Sequence, residues 1–439
     1  MVREAMRVRY HDQDVGAVSF DSDSGLSTFE YSPSFLRSGL ELSPLTMPLQ
    51  RRLYRFPQLD ATVFHGLPGL LADALPDDFG HAVLNAWVAR QGRSPDSITP
   101  LQRLQYIGRR GMGALEFAPA TRLRSLNATQ ELALHELVAI AQDILDQRQR
   151  FTVPLPRAGQ SDHDAMLALL AVGTSAGGAR PKAVLACNAD FSIVRSGQTD
   201  APAGYTHYLL KFDGVVDVER GRQTFGDPQG FGSMEYVYHR LASACGIGMM
   251  PCRLLDEGPR RHFLTQRFDR RGNTKVHVQT LTGLAHVSYR QPGLYSYEEI
   301  FNVLRQLRAP PEDAEELFRR MVFNVIARNQ DDHAKNFAFL FDAEHGWRLA
   351  PAYDLAYSYK PGSRWVGLHA MSLNGKRDDF QRADFHAFHQ VSRLFSRSKV
   401  DAVIDRTQAV MANWRTLARS EEVPLPLIDL VEQHLRLQL

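Results

Sequence analysis

The sequence predicts an α+β protein with a small β-rich N-terminal domain, a mixed α/β middle region and a mostly helical C-terminal region. Three observations predict this class: alternating strands near the N-terminus, strands beside a glycine-rich turn in the middle, and long helical periods towards the C-terminus. At 439 residues the chain is also longer than one ordinary hydrophobic core. We expect three domains, covering residues 1–124, 125–268 and 269–439.

The composition and charge are those of an ordinary globular protein. Apolar residues make up 44% and charged residues 23% of the chain, which is near the globular average. The formal net charge of +2 gives the whole chain no field that would favour nucleic acid or an anionic membrane. No apolar stretch approaches the roughly 18 residues of a membrane span, and the three cysteines lack zinc or disulfide spacing. We therefore expect a cytoplasmic protein with no membrane partner.

The N-terminal region begins with short strands. From Arg7 to Tyr31 apolar and polar residues alternate, and turn-forming residues interrupt the pattern at 12–14 and 21–25, which predicts a β-meander. A helical stretch is then expected through Trp87. It follows a segment that begins at Phe64 and reads FHGLPGLLADALPDDFG.

The middle region combines a helix, a glycine-rich turn and strands. Asn127 is a suitable N-cap for a helix whose apolar stripe runs through residues 137–145. A glycine-rich turn follows at residues 173–182. Strands are then predicted at 183–185 and at 207–212.

Helical periods dominate the C-terminal region. Helices are predicted from about Ser233, over 297–307 and over 312–327. The exception is a short aromatic strand at 337–341, which a turn returns through 347–349. This hairpin would bring residues just before its first strand close to residues just after its second.

An ordered set of polar residues indicates phosphoryl transfer, which needs cradled phosphates, Mg²⁺ ions and an aligned acceptor hydroxyl. The glycine-rich turn is followed by Lys211 on a strand and by Glu235 on the next helix, a candidate partner for that lysine. Asp331 precedes Asn336 by five positions, and Asp354 comes later. The D-x-x-x-x-N spacing is that of a kinase catalytic loop. The set therefore predicts ATP-dependent transfer, with Asp354 as a second Mg²⁺ ligand.

Each of these residues also has an ordinary structural explanation when taken alone. Lys211 suits a strand end, and Glu235 suits a solvated helix face. The glycine-rich segment is not a Walker motif, because Ala179 stands where that motif requires lysine. His333 and Lys335 either contact phosphate or metal-bound oxygens or serve the local structure. The joint order of the set favours the catalytic interpretation.

These motifs resemble the HipA-type serine/threonine kinases, which are toxin components of bacterial toxin–antitoxin modules. The resemblance covers almost the whole chain and implies a bilobal, kinase-like fold. The segments that carry it are Phe29–Pro33, Phe64–Asp77, Gly178–Lys182, Leu210–Lys211, Gln266–Arg270, Asp331–Phe337 and Pro351–Asp354.

The resemblance implies a role for each matching residue. Asp331 would be the general base, Asn336 and Asp354 the Mg²⁺ ligands, and Lys211 the partner of the α- and β-phosphates. Ser175, with Thr174 as a neighbouring candidate, occupies the position whose phosphorylation ejects the phosphate-binding loop and inactivates family members. The expected nucleotide contacts are, besides Lys211, Gly177, Gly178, Ala179, Arg180, Pro181, Lys182, the adenine hinge Gln266, Arg267 and Phe268, and His333, Lys335 and Tyr353.

The family also implies partners and a cellular effect. Its members bind operator DNA together with a small helix-turn-helix antitoxin, and they phosphorylate aminoacyl-tRNA synthetases, which halts translation and growth. Many members have glycine where this chain has Asp332 and glutamate where it has Gln266. Two alternatives stay open: a nucleotide-binding corepressor that acts through an antitoxin–DNA complex, and a kinase that acts on a small molecule.

Overall fold

The chain forms two compact units. The structure, a computed structural model, describes residues 4–119, 137–139, 141–142, 180–219, 222–226 and 228–439. The first unit, here called the sheet unit, comprises residues 1–43, 47–232 and 253–278. The second, here called the helical unit, comprises residues 44–46, 233–252 and 279–439. The three domains expected from the sequence stay a prediction.

The sheet unit begins with the expected β-meander. Alternation of apolar and polar residues produces it, because Met6, Val8 and Tyr10 turn inward and are buried. Pairing is antiparallel and the strand order is β4-β3-β2-β1-β5. The strands are β1 (Glu4–Tyr10), β2 (Gln13–Asp21), β3 (Leu26–Tyr31), β4 (Leu53–Tyr54) and β5 (Leu115–Ala118).

A second five-stranded sheet in this unit carries the predicted strand lysine. Its order is β11-β12-β8-β6-β7, and both predicted strands of the middle region are confirmed as β6 and β8. The strands are β6 (Lys182–Cys187), β7 (Val194–Ser196), β8 (Thr206–Lys211), the separate ribbon β9 (Val216–Glu219) and β10 (Arg222–Gly226), then β11 (Cys252–Glu257), β12 (Arg260–Gln266), and the hairpin β13 (Arg270–Arg271) and β14 (Thr274–Lys275).

One α-helix of the N-terminal region packs on this second sheet. The helices are α1 (Pro33–Leu36), α2 (Ala61–Phe64), α3 (Gly69–Ala72), α4 (Asp78–Arg90) and α5 (Pro100–Ile107). Helix α4 confirms the helical stretch expected through Trp87. Its residues Phe79 and Val83 share one buried cluster with Ala183 and Leu185 of β6, so the N-terminal region and the second sheet form a single hydrophobic core.

The helical unit confirms the periods predicted from the sequence. Ser296 and Glu299 form a capping box at the start of α8, and the predicted aromatic hairpin is present as β16 and β17. The elements are α6 (Phe231–Ala244) and β15 (His277–Thr280), each of which begins at residues of the sheet unit, α7 (Leu281–Ala285), α8 (Tyr297–Gln306), α9 (Pro311–Ile326), β16 (Ala338–Asp342), β17 (Gly346–Leu349), α10 (Arg382–His386), α11 (Arg397–Met411), α12 (Trp414–Ser420) and α13 (Leu425–His434).

The sheets and the helices together confirm the α+β class. Across the part of the chain that the structure describes, no helix has both the length and the apolar character needed to cross a membrane.

Candidate functional site

The catalytic-loop segment, residues 329–337, follows α9 and brings two predicted residues together. The side chain of Asp331 is 43% exposed, and its Oδ1 lies 3.7 Å from Nε2 of His333. Asn336 ends a short 3₁₀ turn that begins at Ala334. The Nδ2 of Asn336 donates a 2.7 Å hydrogen bond to the carbonyl oxygen of Asp331. This bond fixes the orientation of the Asn336 amide relative to Asp331.

The aromatic hairpin places Asp354 at the same end as Asn336. Strands β16 and β17 pair antiparallel, and the Ala350 N–H donates to the Ala338 oxygen at 2.9 Å. The Tyr353 hydroxyl also donates to the Lys335 carbonyl oxygen at 2.6 Å. Asp354 itself has a φ of +55°, in the left-handed region that aspartate visits more readily than most residues. The geometry predicted for the two ends of the hairpin is therefore present.

The neighbour of the predicted base, Asp332, is fully buried and accepts several hydrogen bonds. Its Oδ2 accepts from the Tyr297 hydroxyl at 2.7 Å and lies 2.8 Å from His369 Nδ1, while its Oδ1 accepts from the Ala370 N–H at 2.7 Å. Burial raises the pKa of Asp332, but the charge of His369 and these hydrogen bonds outweigh burial and hold that pKa below its ordinary value. Asp332 is therefore a buried anion beside the exposed Asp331.

A chain of buried hydrogen bonds continues from Asp332 towards Asp354. The Tyr297 hydroxyl accepts from Asn324 Nδ2 at 3.0 Å. The Nδ2 of Asn329 donates to Asn324 Oδ1 at 2.9 Å and to the Asp354 carbonyl oxygen at 3.4 Å. In the sequence, Asp332 is recognisable only as a departure from the family pattern, and the network has no local signal because its members are distant in the sequence.

The two basic residues of the catalytic-loop segment share an aromatic neighbour. Lys335 Nζ lies 4.8 Å from the centroid of the Tyr289 ring, and the His333 and Tyr289 ring centroids are 5.4 Å apart. The Arg290 guanidinium also approaches this ring, at 5.5 Å. Tyr289 therefore holds the side chains of His333 and Lys335 near each other, a contact for which the sequence gives no local signal.

On the second sheet, two predicted lysines face each other. Lys182 of β6 and Lys211 of β8 are partners in the antiparallel register, and both side chains are buried. The Lys211 Nζ lies 5.8 Å from the centroid of the Phe263 ring. The Lys182 Nζ lies 3.3 Å from Oδ2 of Asp77, so this lysine has a carboxylate partner from the N-terminal region.

The predicted adenine hinge lies at the end of β12. Gln266 is half-buried, and the N–H of Arg267 donates to the His207 oxygen at 2.9 Å. The Arg267 guanidinium donates to both carboxylate oxygens of Asp269, at 2.8 and 2.7 Å. Burial opposes the charge of Asp269, yet Arg267 and Arg270 hold the pKa of this carboxyl well below its usual range. An adenine contact from Arg267 would therefore come from its backbone.

The remaining predicted residues are less closely defined. Glu235 is buried in α6 and belongs to the helical unit, whereas Lys211 belongs to the sheet unit, so their ion pair stays a prediction. Pro181 is buried, and its carbonyl oxygen accepts from the Phe212 N–H at 3.1 Å. Half-buried residues of the set are Arg180, Phe268, His333, Lys335 and Tyr353. The positions that fall outside the described residues are Thr174, Ser175, Gly177, Gly178 and Ala179.

Comparison with known proteins assigns both halves of the chain to one family. Residues 6–118 match the model of the HipA N-terminal domain, and residues 174–414 match that of the HipA-like C-terminal domain. The serine/threonine-protein kinase toxin HipA of Shewanella oneidensis is 23% identical over 374 residues, which cover 78% of this chain and 73% of that protein. Y4mE of Sinorhizobium fredii, named as a candidate kinase, is 30% identical over 126 residues. Those residues cover 26% of this chain and only 30% of Y4mE.

A solved structure shows the same fold. The HipA protein of Shewanella oneidensis, in its complex with HipB and operator DNA, superposes with a TM-score of 0.66. The match covers 98% of this chain and 94% of that one, at 18% sequence identity. It confirms the bilobal, kinase-like fold that the sequence predicts. Because the two family models together span most of its length, this chain belongs to the HipA family.

Proposed function

We propose that this chain is an ATP- and Mg²⁺-dependent protein kinase that phosphorylates serine or threonine and acts as the toxin of a toxin–antitoxin module. The observation that carries the proposal is the hydrogen bond from Asn336 to the Asp331 carbonyl oxygen, with Asp354 at the same end of the β16–β17 hairpin. Membership of the HipA family supports it, as does similarity to a relative named as a serine/threonine-protein kinase toxin.

In this proposal Asp331 is the general base. Its carboxylate is partly exposed, as is needed for a group that must reach the hydroxyl of a protein acceptor and take its proton. Lys211 serves the α- and β-phosphates, and Glu235 supports Lys211. The half-buried Gln266 and the backbone of Arg267 and Phe268 bind adenine, which leaves the charge of Arg267 with Asp269.

The residues around Asn336 fit a Mg²⁺ site. Mg²⁺ prefers oxygen ligands, and Nδ2 of Asn336 is used by the Asp331 carbonyl, so the amide oxygen is the end left to face a cation. Asp354 supplies a carboxylate at the same end of the hairpin. When bound there, Mg²⁺ would neutralise charge on the phosphate oxygens during transfer.

Incubation of the whole chain with ATP and Mg²⁺, followed by phosphopeptide mass spectrometry, tests the kinase activity. We expect phosphate on Ser175 or Thr174 of the wild type and none in Asp331→Asn or Asp354→Asn. Glu344→Gln, which changes an exposed carboxylate in the hairpin turn, serves as the control and should keep full activity. Equal phosphorylation of the wild type and Asp331→Asn would refute the catalytic assignment.

The toxin role and the partners need a test in cells. The relative of known structure is seen with HipB and operator DNA, so we propose a small helix-turn-helix antitoxin and, through it, operator DNA as partners. An aminoacyl-tRNA synthetase is the proposed substrate. Expression of the wild type should arrest growth, and expression of Asp331→Asn should not, with phosphoproteomics of the same cells identifying the target. A harmless wild type whose Asp331/Asp354 double variant still represses transcription would instead support the corepressor alternative.

A further inference from the structure

The segment Phe64–Asp77 of the N-terminal region has no role in the proposed phosphoryl transfer. The carboxylate of its last residue, Asp77, is nevertheless buried. The Asp77 Oδ1 accepts a 2.6 Å hydrogen bond from the Gly80 N–H and so caps α4. Its Oδ2 lies 3.3 Å from the Lys182 Nζ. The side chains of Asp77 and Lys182 are 1% and 2% exposed. The Asp77 carboxylate thus caps α4 and also pairs with a lysine of β6.

The position of Lys182 makes this partner necessary. Lys182 and Lys211 are directly opposed on β6 and β8, and side chains of directly opposed residues project from the same face of a sheet. Like charges in that arrangement destabilise the pair of strands. The carboxylate of Asp77 supplies the counter-charge for Lys182, and the N-terminus of α4 would otherwise add further positive potential beside the ammonium group.

Asp77 is also held firmly in place. It lies at the base of α4, whose Phe79 and Val83 pack in one core with β6. A second buried connection links the N-terminal region to the end of β12, where Asp269 accepts a 2.8 Å hydrogen bond from the Gly113 N–H. The Arg270 guanidinium donates to the Gly111 oxygen at 3.0 Å. The N-terminal region therefore contacts and stabilises the second sheet at β6 and at the predicted adenine hinge.

We propose that Asp77 is a positioning residue of the nucleotide site: it takes up the charge of Lys182 and fixes the start of β6. The phosphates are then served by Lys211 rather than by Lys182, which becomes a structural lysine. The inference rests on the proposed kinase function, since it specifies how one half of that site is built. It also gives the N-terminal region a part in nucleotide binding.

The test compares binding of a fluorescent ATP analogue with Mg²⁺ and thermal unfolding across variants of the whole chain. Asp77→Asn and Lys182→Met each remove one partner of a buried ion pair, so each should lower Tm by about 5 °C or more and weaken binding about tenfold. The double variant removes both charges, keeps a capping side chain at residue 77 and fills the space of Lys182. It should restore binding to within about twofold of wild type. Lys211→Met should lose nucleotide binding.

Asp313→Asn is the matched control. It removes another buried carboxylate, which pairs with a partly exposed arginine, since Arg348 Nη2 lies 2.9 Å from Asp313 Oδ1. It should lower Tm without changing nucleotide affinity. If a single variant fails to fold, the double variant still tests the inference.

A double variant with wild-type Tm that no longer binds nucleotide would show that Lys182 contacts phosphate directly, and would overturn the inference. Additive losses in the double variant would also overturn it, because they would mean that the two residues are not coupled. The proposed function fails in a different way: the wild type then binds no nucleotide, or Lys211→Met binds as well as the wild type.

Discussion

Two regions that contain predicted site residues differ in how their charged side chains are buried and paired. In the second sheet of the sheet unit, the charge of Lys182 is neutralised by the buried Asp77. In the catalytic-loop segment of the helical unit, two adjacent carboxylates differ: Asp331 is 43% exposed and Asp332 is fully buried. A sequence motif therefore identifies the charged residues of a site. Their burial and partners determine which of them can contact the substrate and which stabilise the fold. Changing single charges in each region distinguishes these two roles.

The largest expected effect follows from removing the exposed carboxylate. Asp331→Asn should reduce phosphoryl transfer by about 10²–10⁴-fold, because proton removal by a positioned base contributes that much. The Tm and nucleotide affinity should stay near wild type, since the side chain is partly solvated. Rapid-quench measurement of transfer, with unfolding monitored in parallel, checks both. A Tm loss as large as that of a buried-charge variant would show that Asp331 also holds the fold.

Removal of the buried neighbour should give the opposite pattern. Asp332→Asn weakens the bonds with His369 and the Ala370 N–H, so the free energy of unfolding should fall by about 2–4 kcal/mol. Transfer should fall with it at saturating ATP, because the catalytic-loop segment loses its support. Asp384 is a matched control, since it is also buried and accepts from Lys376 at 2.8 Å. Asp384→Asn should be destabilised in urea yet keep its kcat, and equal kcat losses in both variants would remove any special role for Asp332.

Low pH should remove the contribution of Asp332 to the free energy of unfolding. The pKa of Asp332 in the folded chain lies below its ordinary value, so the folded state binds fewer protons than the unfolded state between those two pKa values. The stabilisation is therefore complete above the ordinary carboxyl pKa and disappears as the pH falls through the lowered one. Urea titrations should show the difference between wild type and Asp332→Asn shrinking below about pH 4. A difference that does not change with pH would mean that the pKa of Asp332 is the same in the folded and the unfolded chain.

The smallest effect is expected from the aromatic contact of the basic pair. Tyr289→Leu removes the ring over which Lys335 Nζ lies, an interaction worth about 0.5–1 kcal/mol at an accessible site. We expect a change in transfer of only a few-fold and a nearly unchanged Tm. Steady-state kinetics with Tyr289→Phe as the conservative control checks this. A loss as large as that of Asp331→Asn would give Tyr289 a direct part in catalysis.

The sequence predicted the elements better than the environments of their residues. The alternation of Val8 and Tyr10 predicted the first strands correctly, and the helical period over 297–307 predicted the helix found at Tyr297–Gln306. These signals are local. The partners of Asp332 are 35 and 37 residues away, and no local pattern encodes a hydrogen bond at that separation. The same limit hid the pairing of Lys182 with Asp77.

The shared core of α4 and β6 has a practical consequence for dividing the chain. The regions that match the two family models, 6–118 and 174–414, look like separate modules. A cut between them would nevertheless split one apolar core. It would expose Ala183 and Leu185 to water and separate the buried Lys182 from Asp77. Fragments intended for expression or crystallisation should therefore keep both regions in one polypeptide, since neither half has a complete interior of its own.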